Sequence, residues 1–391
     1  MTVAPETSDE PRFRNVDWEN ETGRTWSPSP STWFVLAGLV AIGLAVAYDY
    51  LLVPPKQPVV GGWEAPIIDW LLLVSLVLFF GYALVPLASR ERTRRRLWVQ
   101  VRNRPAVAAS VLWLVLVLLL GTVGYAILGK PTKHLRIPYQ PPAFLAGDPF
   151  LPGRCVGAVV DGRCHGTLQH PLGTNVYGED IGVLIVSGMR VAVTLSLVTA
   201  TILVSVATAV GTVAGFVGGR VDAVLTGYVD IQRTVPAFLV YVVFAFVTKP
   251  SLLVLIVVFG FLNWGGIAHV VRSEVKAIRE AGYVRAARSA GAGRLHVLRH
   301  HVLPNVSGGI AVATTRQIAT LILVEAAISY LELNDVMVRS WGEIAASGMG
   351  QWFPVNWWVV AGPGLALVIT VVAVNVLGDA LRDVFDPRGV P

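Results

Sequence analysis

Eight long apolar runs, separated by short polar stretches, dominate the chain. Each is close to the roughly 20 residues that a helix needs to cross about 30 Å of hydrocarbon. Because backbone groups in lipid must bond within their own segment, continuous runs of this length predict membrane-spanning helices and exclude a transmembrane β-barrel. The runs lie near residues 32–53, 67–88, 106–128, 187–217, 223–247, 251–271, 308–331 and 357–378.

The fourth run is the longest of the eight. It allows a tilted or broken helix, or an amphipathic lead-in near 179–188 followed by the span itself, and we count it as one span. The composition agrees with a membrane protein: 54% of the 391 residues are hydrophobic and only 14% are charged, whereas soluble domains have about 25% charged residues. The fold class predicted is therefore all-α integral membrane.

The positions of the charged residues predict how the chain is oriented in the membrane. The formal net charge of +6 is divided among short stretches between apolar runs, so we expect no nucleic-acid partner. Seven arginines lie between Arg90 and Arg104, and so basic a loop is retained in the cytoplasm. Counting spans from it predicts a multi-pass cell-membrane protein with both termini in the cytoplasm, 129–183 outside and 272–306 inside. The 272–306 segment is itself basic, an independent check.

Two sequence features outside the spans give further expectations. Residues 1–30 are polar and lack the cationic start and apolar core of a signal peptide, so they predict a disordered cytoplasmic tail. The only cysteines, Cys155 and Cys164, lie in the segment predicted to be outside the cell. We predict that they form a disulfide, the alternative being two free thiols. Two cysteines exclude a multi-cysteine metal scaffold, and no metal site is expected.

The basic segment 272–306 has an internal helical design. Residues 274–290 contain no proline, and small or apolar side chains recur at Tyr283, Ala286, Ala287 and Ala290 with helical spacing. Gly291 is placed to end this helix with a left-handed cap. A second short helix over 294–301 is expected to stop before Pro304. Such a shape fits a groove on a soluble protein partner, and the alternative is an amphipathic element on anionic lipid headgroups.

This segment resembles a known motif. Tyr283 to Gly291, followed by Leu303-Pro304, is similar to the E-A-A-x-x-x-G-x9-I-x-L-P loop of ABC importer permease subunits, although Arg285 stands at the glutamate and His301 at the isoleucine. Other stretches resemble the second permease type of the dipeptide/oligopeptide/nickel family in the same order. They are His170 to Thr174, Gly215 to Asp222, Asp230 with Pro236, Glu325 to Leu331, Ser340-Trp341-Gly342, Asn375 to Asp383, and Asp386-Pro387-Arg388.

The resemblance covers 102–391 and implies a type I ABC importer permease fold. Its six-helix core would follow a two-helix N-terminal membrane module over 31–101, which the resemblance does not cover. The expected partners are a second permease subunit, two ABC ATPase subunits and an extracytoplasmic substrate-binding protein. The residues implied in coupling to the ATPases are Tyr283, Arg285, Ala286, Ala287, Gly291, Leu303 and Pro304.

The function predicted is that of a permease subunit, not an enzyme. The chain contains no G-x-x-x-x-G-K-[ST] loop, so ATP and Mg are expected on the partner subunits and no cofactor on this chain. Di- or oligopeptides are the commonest cargo of this branch, with nickel or sugars as alternatives. The competing classes are a secondary transporter driven by an ion gradient and a membrane-embedded enzyme, but neither paired interrupted helices nor a polar catalytic cluster is evident.

Three residues are candidates for the pathway or a gate: Asp230, Glu325 and Trp341. Ionisable residues inside spans are costly and therefore often functional. For Glu325 the favoured alternative is an interhelical hydrogen-bond partner, and for Trp341 an anchor at the membrane interface. Asp222 and Asp379 are expected to be ordinary solvated charges near the ends of spans.

Overall fold

The computed structural model describes residues 29–54, 58, 63, 65–89, 91–148, 152–334, 339–350 and 352–385. Within this part of the chain, seven helices are long and apolar enough to cross a membrane, and a bent helix pair gives an eighth crossing if it is counted as one span. The predicted tail lies outside the described residues except for its last two positions, and so does Asp386-Pro387-Arg388.

The first four helices are α1 (Pro30–Leu52), α2 (Ile67–Ser89), α3 (Glu91–Asn103) and α4 (Pro105–Leu128). Three of them match the first three predicted spans, and α3 is a short helix rich in arginine. Helices α2 and α4 each contain one π-helical turn, at Phe80–Leu84 and Leu120–Gly124.

Helix α5 (Ile181–Val217) is a single element of 37 residues. The Asp180 side chain accepts hydrogen bonds from the backbone N–H groups of Gly182 and Val183 at its start. At 1.5 Å per residue the helix is about 55 Å long, well beyond the roughly 30 Å of hydrocarbon. The lead-in predicted near 179–188 is therefore part of one unbroken helix.

The apolar run over 223–247, predicted as one span, is a bent pair of helices in the structure. Two helices cover this region, α6 (Gly219–Thr234) and α7 (Ala237–Thr248), with a bend of 67° between them. Pro236 explains the bend, because proline lacks the N–H that would continue the helix and forces the preceding Val235 into an extended conformation. The following span consists of α8 (Leu252–Leu262) and α9 (Gly265–Arg279).

The last helices are α10 (Gly282–Ser289), α11 (Arg294–Tyr330), α12 (Trp341–Gly348) and α13 (Trp358–Phe385). The predicted continuous helix over 274–290 is wrong, since α9 ends at Arg279 and α10 begins three residues later. The predicted stop before Pro304 is also wrong. A π-helical turn at Leu298–Val302 ends two residues before the proline. It accommodates a residue that cannot donate to the ladder, so α11 continues to Tyr330.

The core is formed where α5 packs along α9. Gly211 and Gly215 face this contact, and an added Cβ would lie 2.6 Å from the Ala268 carbonyl oxygen and 2.7 Å from that of Arg272. Small residues four apart let two helix backbones approach closely, which is the usual way to pack helices in lipid. Helix α11 packs against α13, where Gly378 leaves room for the Thr315 hydroxyl.

The two N-terminal spans are joined to this core by polar contacts. Arg190 on α5 forms an ion pair with Asp69 on α2 at 2.5 Å. The Trp70 indole on α2 donates to Asp49 on α1 at 3.1 Å. Helix α2 is therefore fastened to α5, and α1 is held by α2.

The described residues between α4 and α5, 129–148 and 152–180, are called here the α4–α5 segment. It contains strands β1 (Val159–Val160) and β2 (Arg163–Cys164), which pair antiparallel. Cys155 and Cys164 are joined by a disulfide bond. Gln140 ties the segment together, because its backbone N–H donates to Thr174 and its side-chain Oε1 accepts from the Val156 N–H.

Candidate functional site

Helix α10 presents a small, mostly exposed surface. Val284 is fully buried and fixes the helix to the body of the protein. Tyr283, Arg285 and Ala286 are exposed, and Ala287 is half-buried. A partner could therefore approach the α10 backbone closely at the two alanines, with a cationic side chain beside them.

The end of α10 has a left-handed glycine cap. Gly291 has φ +90, and its N–H donates to the Arg288 carbonyl at 3.0 Å. The Ala292 N–H donates to the Ala287 carbonyl, also at 3.0 Å. This pair of bonds is the Schellman motif, which sets a sharp exit from the helix. The left-handed conformation predicted for Gly291 is confirmed.

The chain then returns along the start of α11. Val297, Val302 and Val306 are fully buried, whereas Pro304 is exposed and Leu303 is half-buried. The rings of Tyr283 and His301 lie 6.0 Å apart, so the two helices of this element contact each other. We call residues 282–304 the α10–α11 elbow.

Two arginines, one in the elbow and one at the end of α9, contact the end of α5. The Arg288 guanidinium lies 5.2 Å from the centre of the Phe216 ring, within the range of a cation–π contact. Arg279, just before the elbow, donates to the Phe216 carbonyl at 3.2 Å. The elbow therefore contacts the last turn of the 37-residue helix α5.

The opposite end of α5 contacts α12. The Trp341 indole donates to the Ile185 carbonyl at 3.1 Å. A Cβ added to Gly188 would lie 2.2 Å from the Trp341 ring, so the glycine makes room for the indole. Trp341 is only 3% exposed. The structure thus places this candidate pathway residue in the packing between two helices.

Glu325 lies in a buried hydrogen-bond chain. It accepts from the Ser329 hydroxyl at 2.7 Å, and Ser329 accepts from the Asn334 side-chain amide at 3.1 Å. The Tyr241 hydroxyl on α7 donates to Asn334 at 3.2 Å. These hydrogen bonds link α11 to α7. They correspond to the interhelical hydrogen-bond role that was the favoured alternative for Glu325.

The carboxylates of α6 have different surroundings. Asp230 is exposed and pairs with His269 at 3.0 Å. The expectation that Asp222 is an ordinary solvated charge is wrong, because it is buried and bonded to both Arg272 and Lys276 on α9. The Lys276 Nζ lies 2.6 Å from the carboxylate. The pair of cations compensates a charge that burial would otherwise destabilise.

Asp379 lies on α13. It is exposed, and its carboxylate is 4.0 Å from Arg316.

A cavity of about 380 Å³ lies between the α4–α5 segment and the residues around α12. Lys133 and Tyr177 line it from the α4–α5 segment, and Glu332, Arg339 and Glu343 line it from the chain around α12. We call it the α12 cavity. Its volume is within the roughly 300–1,000 Å³ that is usual for small-molecule sites.

Arg339 organises the charges at this cavity. Its two terminal nitrogens contact Glu343 at 2.6 Å and Glu179 at 3.1 Å. Burial raises the pKa of Glu343 to about 7, although the Arg339 charge opposes the shift. Sequence reasoning missed the Arg339 and Glu343 pair. The one signal was the presence of two opposite charges four residues apart beside the Ser340-Trp341-Gly342 motif.

Within the described residues, no group of three or more His, Cys, Asp or Glu side chains is placed to hold a metal ion.

Comparison with known proteins identifies the family. The sequence matches the family described as binding-protein-dependent transport system inner membrane component over residues 207–389. It is 31% identical over 221 residues to the dipeptide transport system permease protein DppC of Bacillus subtilis, covering 56% of this chain and 69% of the relative. It is 30% identical over 299 residues to a putative peptide transport system permease protein of Brucella abortus, covering 76% and 91% respectively. The chain belongs to the ABC transporter permeases of this family.

Membership confirms the resemblance and the all-α membrane fold of the type I importer that the sequence predicts. The family consists of membrane permeases, not of enzymes. Another relative is the oligopeptide transport system permease protein OppC of Bacillus subtilis, with 32% identity covering 56% of this chain and 72% of that protein. Among solved structures, a chain of the inward-facing MetNI methionine ABC transporter is 21% identical with a TM-score of 0.42, covering 51% of this chain and 96% of that chain.

Proposed function

We propose that this permease subunit forms, with a second permease, the translocation pathway of an ATP-driven importer of di- and oligopeptides. Two ABC ATPase subunits would supply the energy, with ATP and Mg bound on them, and an extracytoplasmic binding protein would deliver the cargo. The observation that carries this proposal is the exposed α10–α11 elbow, which offers small side chains at its tip and contacts α5 through Arg288.

The contacts of the elbow support a coupling role. A groove that closes around Ala286 and Ala287 would move α10 as a unit, because Val284 and the glycine cap hold its shape. Arg288 and Arg279 pass that movement to Phe216. Packed helices respond to such forces as rigid bodies. Helix α5 is unbroken, so motion at Phe216 would reach the Trp341 contact at its other end.

The charge distribution supports the orientation of the chain. Arg94, Arg95, Arg96 and Arg102 on α3 are exposed, and the elbow is also rich in arginine. Basic surfaces of this kind are retained in the cytoplasm. The elbow would then face the ATPases, whereas the α4–α5 segment with its disulfide would face the binding protein outside, where disulfides persist.

The proposed cargo follows from the relatives. The proteins of Bacillus subtilis and Brucella are described as dipeptide, oligopeptide or peptide permeases. Nickel and sugar are the competing cargoes. Among the described residues the α12 cavity is lined by charged and polar groups without a cluster suited to a metal ion, which favours peptide over nickel.

The coupling proposal is tested by blocking the elbow. We expect Ala286→Trp to abolish ATP-dependent peptide uptake in reconstituted vesicles and to prevent co-purification of the ATPase subunits, because the indole occupies the space of the groove. Ala277→Trp is the matched control, since Ala277 is an equally exposed alanine on α9 outside the elbow. Normal uptake by the Ala286 variant would overturn the proposal.

A further inference from the structure

The α12 cavity is lined by side chains of opposite charge on two walls. Lys133 and Tyr177 belong to the α4–α5 segment, whereas Glu332 and Glu343 belong to the chain on either side of Ser340. The Lys133 ammonium lies 4.7 Å from the centre of the Tyr177 ring, which places its cation at the first wall. A ligand that carries both charges would match this arrangement.

One carboxylate oxygen at the second wall has no donor. Glu343 receives Arg339 on Oε1, but its Oε2 is buried and has no hydrogen-bond partner in the described chain. An unpaired buried acceptor destabilises the protein unless a ligand or water supplies a donor. Glu343 lines the cavity, so a ligand there with several N–H donors would supply the missing donor once the carboxylate turns toward it.

The guanidinium of Arg339 cannot neutralise the second wall by itself. It bonds both Glu343 and Glu179, and Glu179 is nearly fully buried and held by the Asn175 side-chain amide at 2.8 Å. Two carboxylates therefore share one guanidinium, and Glu332 adds a third negative charge at the rim. The excess negative charge on this wall attracts a cation.

We propose that the α12 cavity binds a short zwitterionic peptide, with the peptide's terminal ammonium at Glu343 and its carboxylate at Lys133. The inference rests on the proposed peptide cargo and assigns one subsite for it on this subunit. The ammonium would supply the donors that the Glu343 carboxylate lacks, and Lys133 would pair with the peptide's carboxylate. The cavity volume suits a small peptide.

The site has a defined dependence on pH. The charged groups facing Glu343 are Arg339, Glu179 and Glu332, with Lys133 on the other wall. Glu343 has a pKa of about 7, so it loses its negative charge as the pH falls below that value and the ammonium loses its partner. A peptide amino terminus loses its own charge above a pH of about 8. Binding should therefore be strongest between these two values.

The test measures binding of radiolabelled trialanine to the full-length chain, in the complex with which it purifies, in nanodiscs without binding protein. N-acetyl-trialanine should compete at least about tenfold more weakly than trialanine, because it has no ammonium. Glu343→Gln and Lys133→Gln should each weaken trialanine binding by about the same factor. Lys130→Gln and Asp161→Asn are matched controls, since both are exposed outside the cavity, and they should bind normally.

The peptide comparison on the unmutated protein remains decisive if a variant fails to fold. Equal competition by trialanine and its N-acetyl form, or by propylamine and trialanine, would overturn the assignment of the site, as would a complex that binds no trialanine. ATP-dependent peptide uptake by the same complex, reconstituted in closed vesicles together with its binding protein, separates the two proposals. Uptake without these binding differences removes the subsite and leaves the proposed function, whereas absence of peptide uptake in a complex with active ATPases contradicts the proposed function itself.

Discussion

The two ends of α5 are built differently. At the Phe216 end, the α10–α11 elbow contacts the helix through arginine side chains and leaves its alanines exposed. At the Ile181 end, a buried indole, a disulfide-linked segment and paired charges surround the helix. The first end suits a contact that a partner completes. At the second, the buried contacts lie within this chain, so substitutions at the two ends should have different consequences.

The largest effect is expected from Gly188→Leu at the Ile181 end. Its Cβ alone would lie 2.2 Å from the Trp341 ring, so α12 must move, at a cost of roughly 3 kcal/mol. Thermal unfolding in detergent should show a strong loss of stability. Gly364→Leu is the control, since nothing lies within 4 Å of an added Cβ there. Unchanged stability of the Gly188 variant would mean that this end is not closely packed.

A smaller effect is expected from removing the disulfide. Cys155→Ser should destabilise the α4–α5 segment by up to about 3 kcal/mol, because the bond closes a short loop. Limited proteolysis should then cleave near β1 and β2, while binding of the ATPases at the elbow stays normal. Cleavage at the same rate with and without a reducing agent would contradict this expectation.

Arg288→Ala should affect transport far more than stability. The cation–π contact with Phe216 contributes only about 0.5–1 kcal/mol, so the unfolding temperature should hardly change. Peptide uptake should fall while ATP hydrolysis continues, because the elbow loses a link to α5. Arg299→Ala, at another exposed arginine of the elbow, is the matched control. Equal uptake by the two variants would show that movement does not pass through Phe216.

The smallest effect on the isolated protein is expected from reversing the charge at Arg285. This residue is exposed and forms no hydrogen bond or ion pair with the residues that the structure describes, so unfolding should be unchanged. If the groove of the ATPase offers an acidic residue, Arg285→Glu should weaken assembly, since like charges oppose binding. Affinity of the ATPase measured across a charge series at this position tests the idea, and identical affinity for arginine, glutamine and glutamate would refute it.

Much of this architecture follows directly from the sequence. Long apolar runs define the spans, and the glycine after a helical alanine pattern predicts the cap at Gly291, because both depend on local properties of the chain. The prediction that a helix stops before Pro304 is wrong, and the bend at Pro236 was not predicted. Pro236 bends its span and Pro304 does not end its helix, and the difference depends on whether neighbouring turns can rearrange around the missing N–H.

The charges were harder to predict because their partners are distant in sequence. Asp222 is buried only because Arg272 and Lys276 reach it from α9. Glu343 acquires its raised pKa from burial at a cavity whose other wall is formed by Lys133 and Tyr177, which are distant in sequence. Local pattern does not report such juxtapositions, whereas a closely packed three-dimensional structure does.

The π-helical turn at Leu298–Val302 gives α11 one residue more than regular α geometry would hold there. It lies between the tip of the elbow and the long stretch that reaches Glu325. An α-helix advances about 1.5 Å and turns about 100° per residue. If this turn tightened to regular α geometry, the part of α11 beyond it would rotate by about that angle relative to the elbow. A small displacement of the elbow would then become a combined rotation and translation of α11 along its axis.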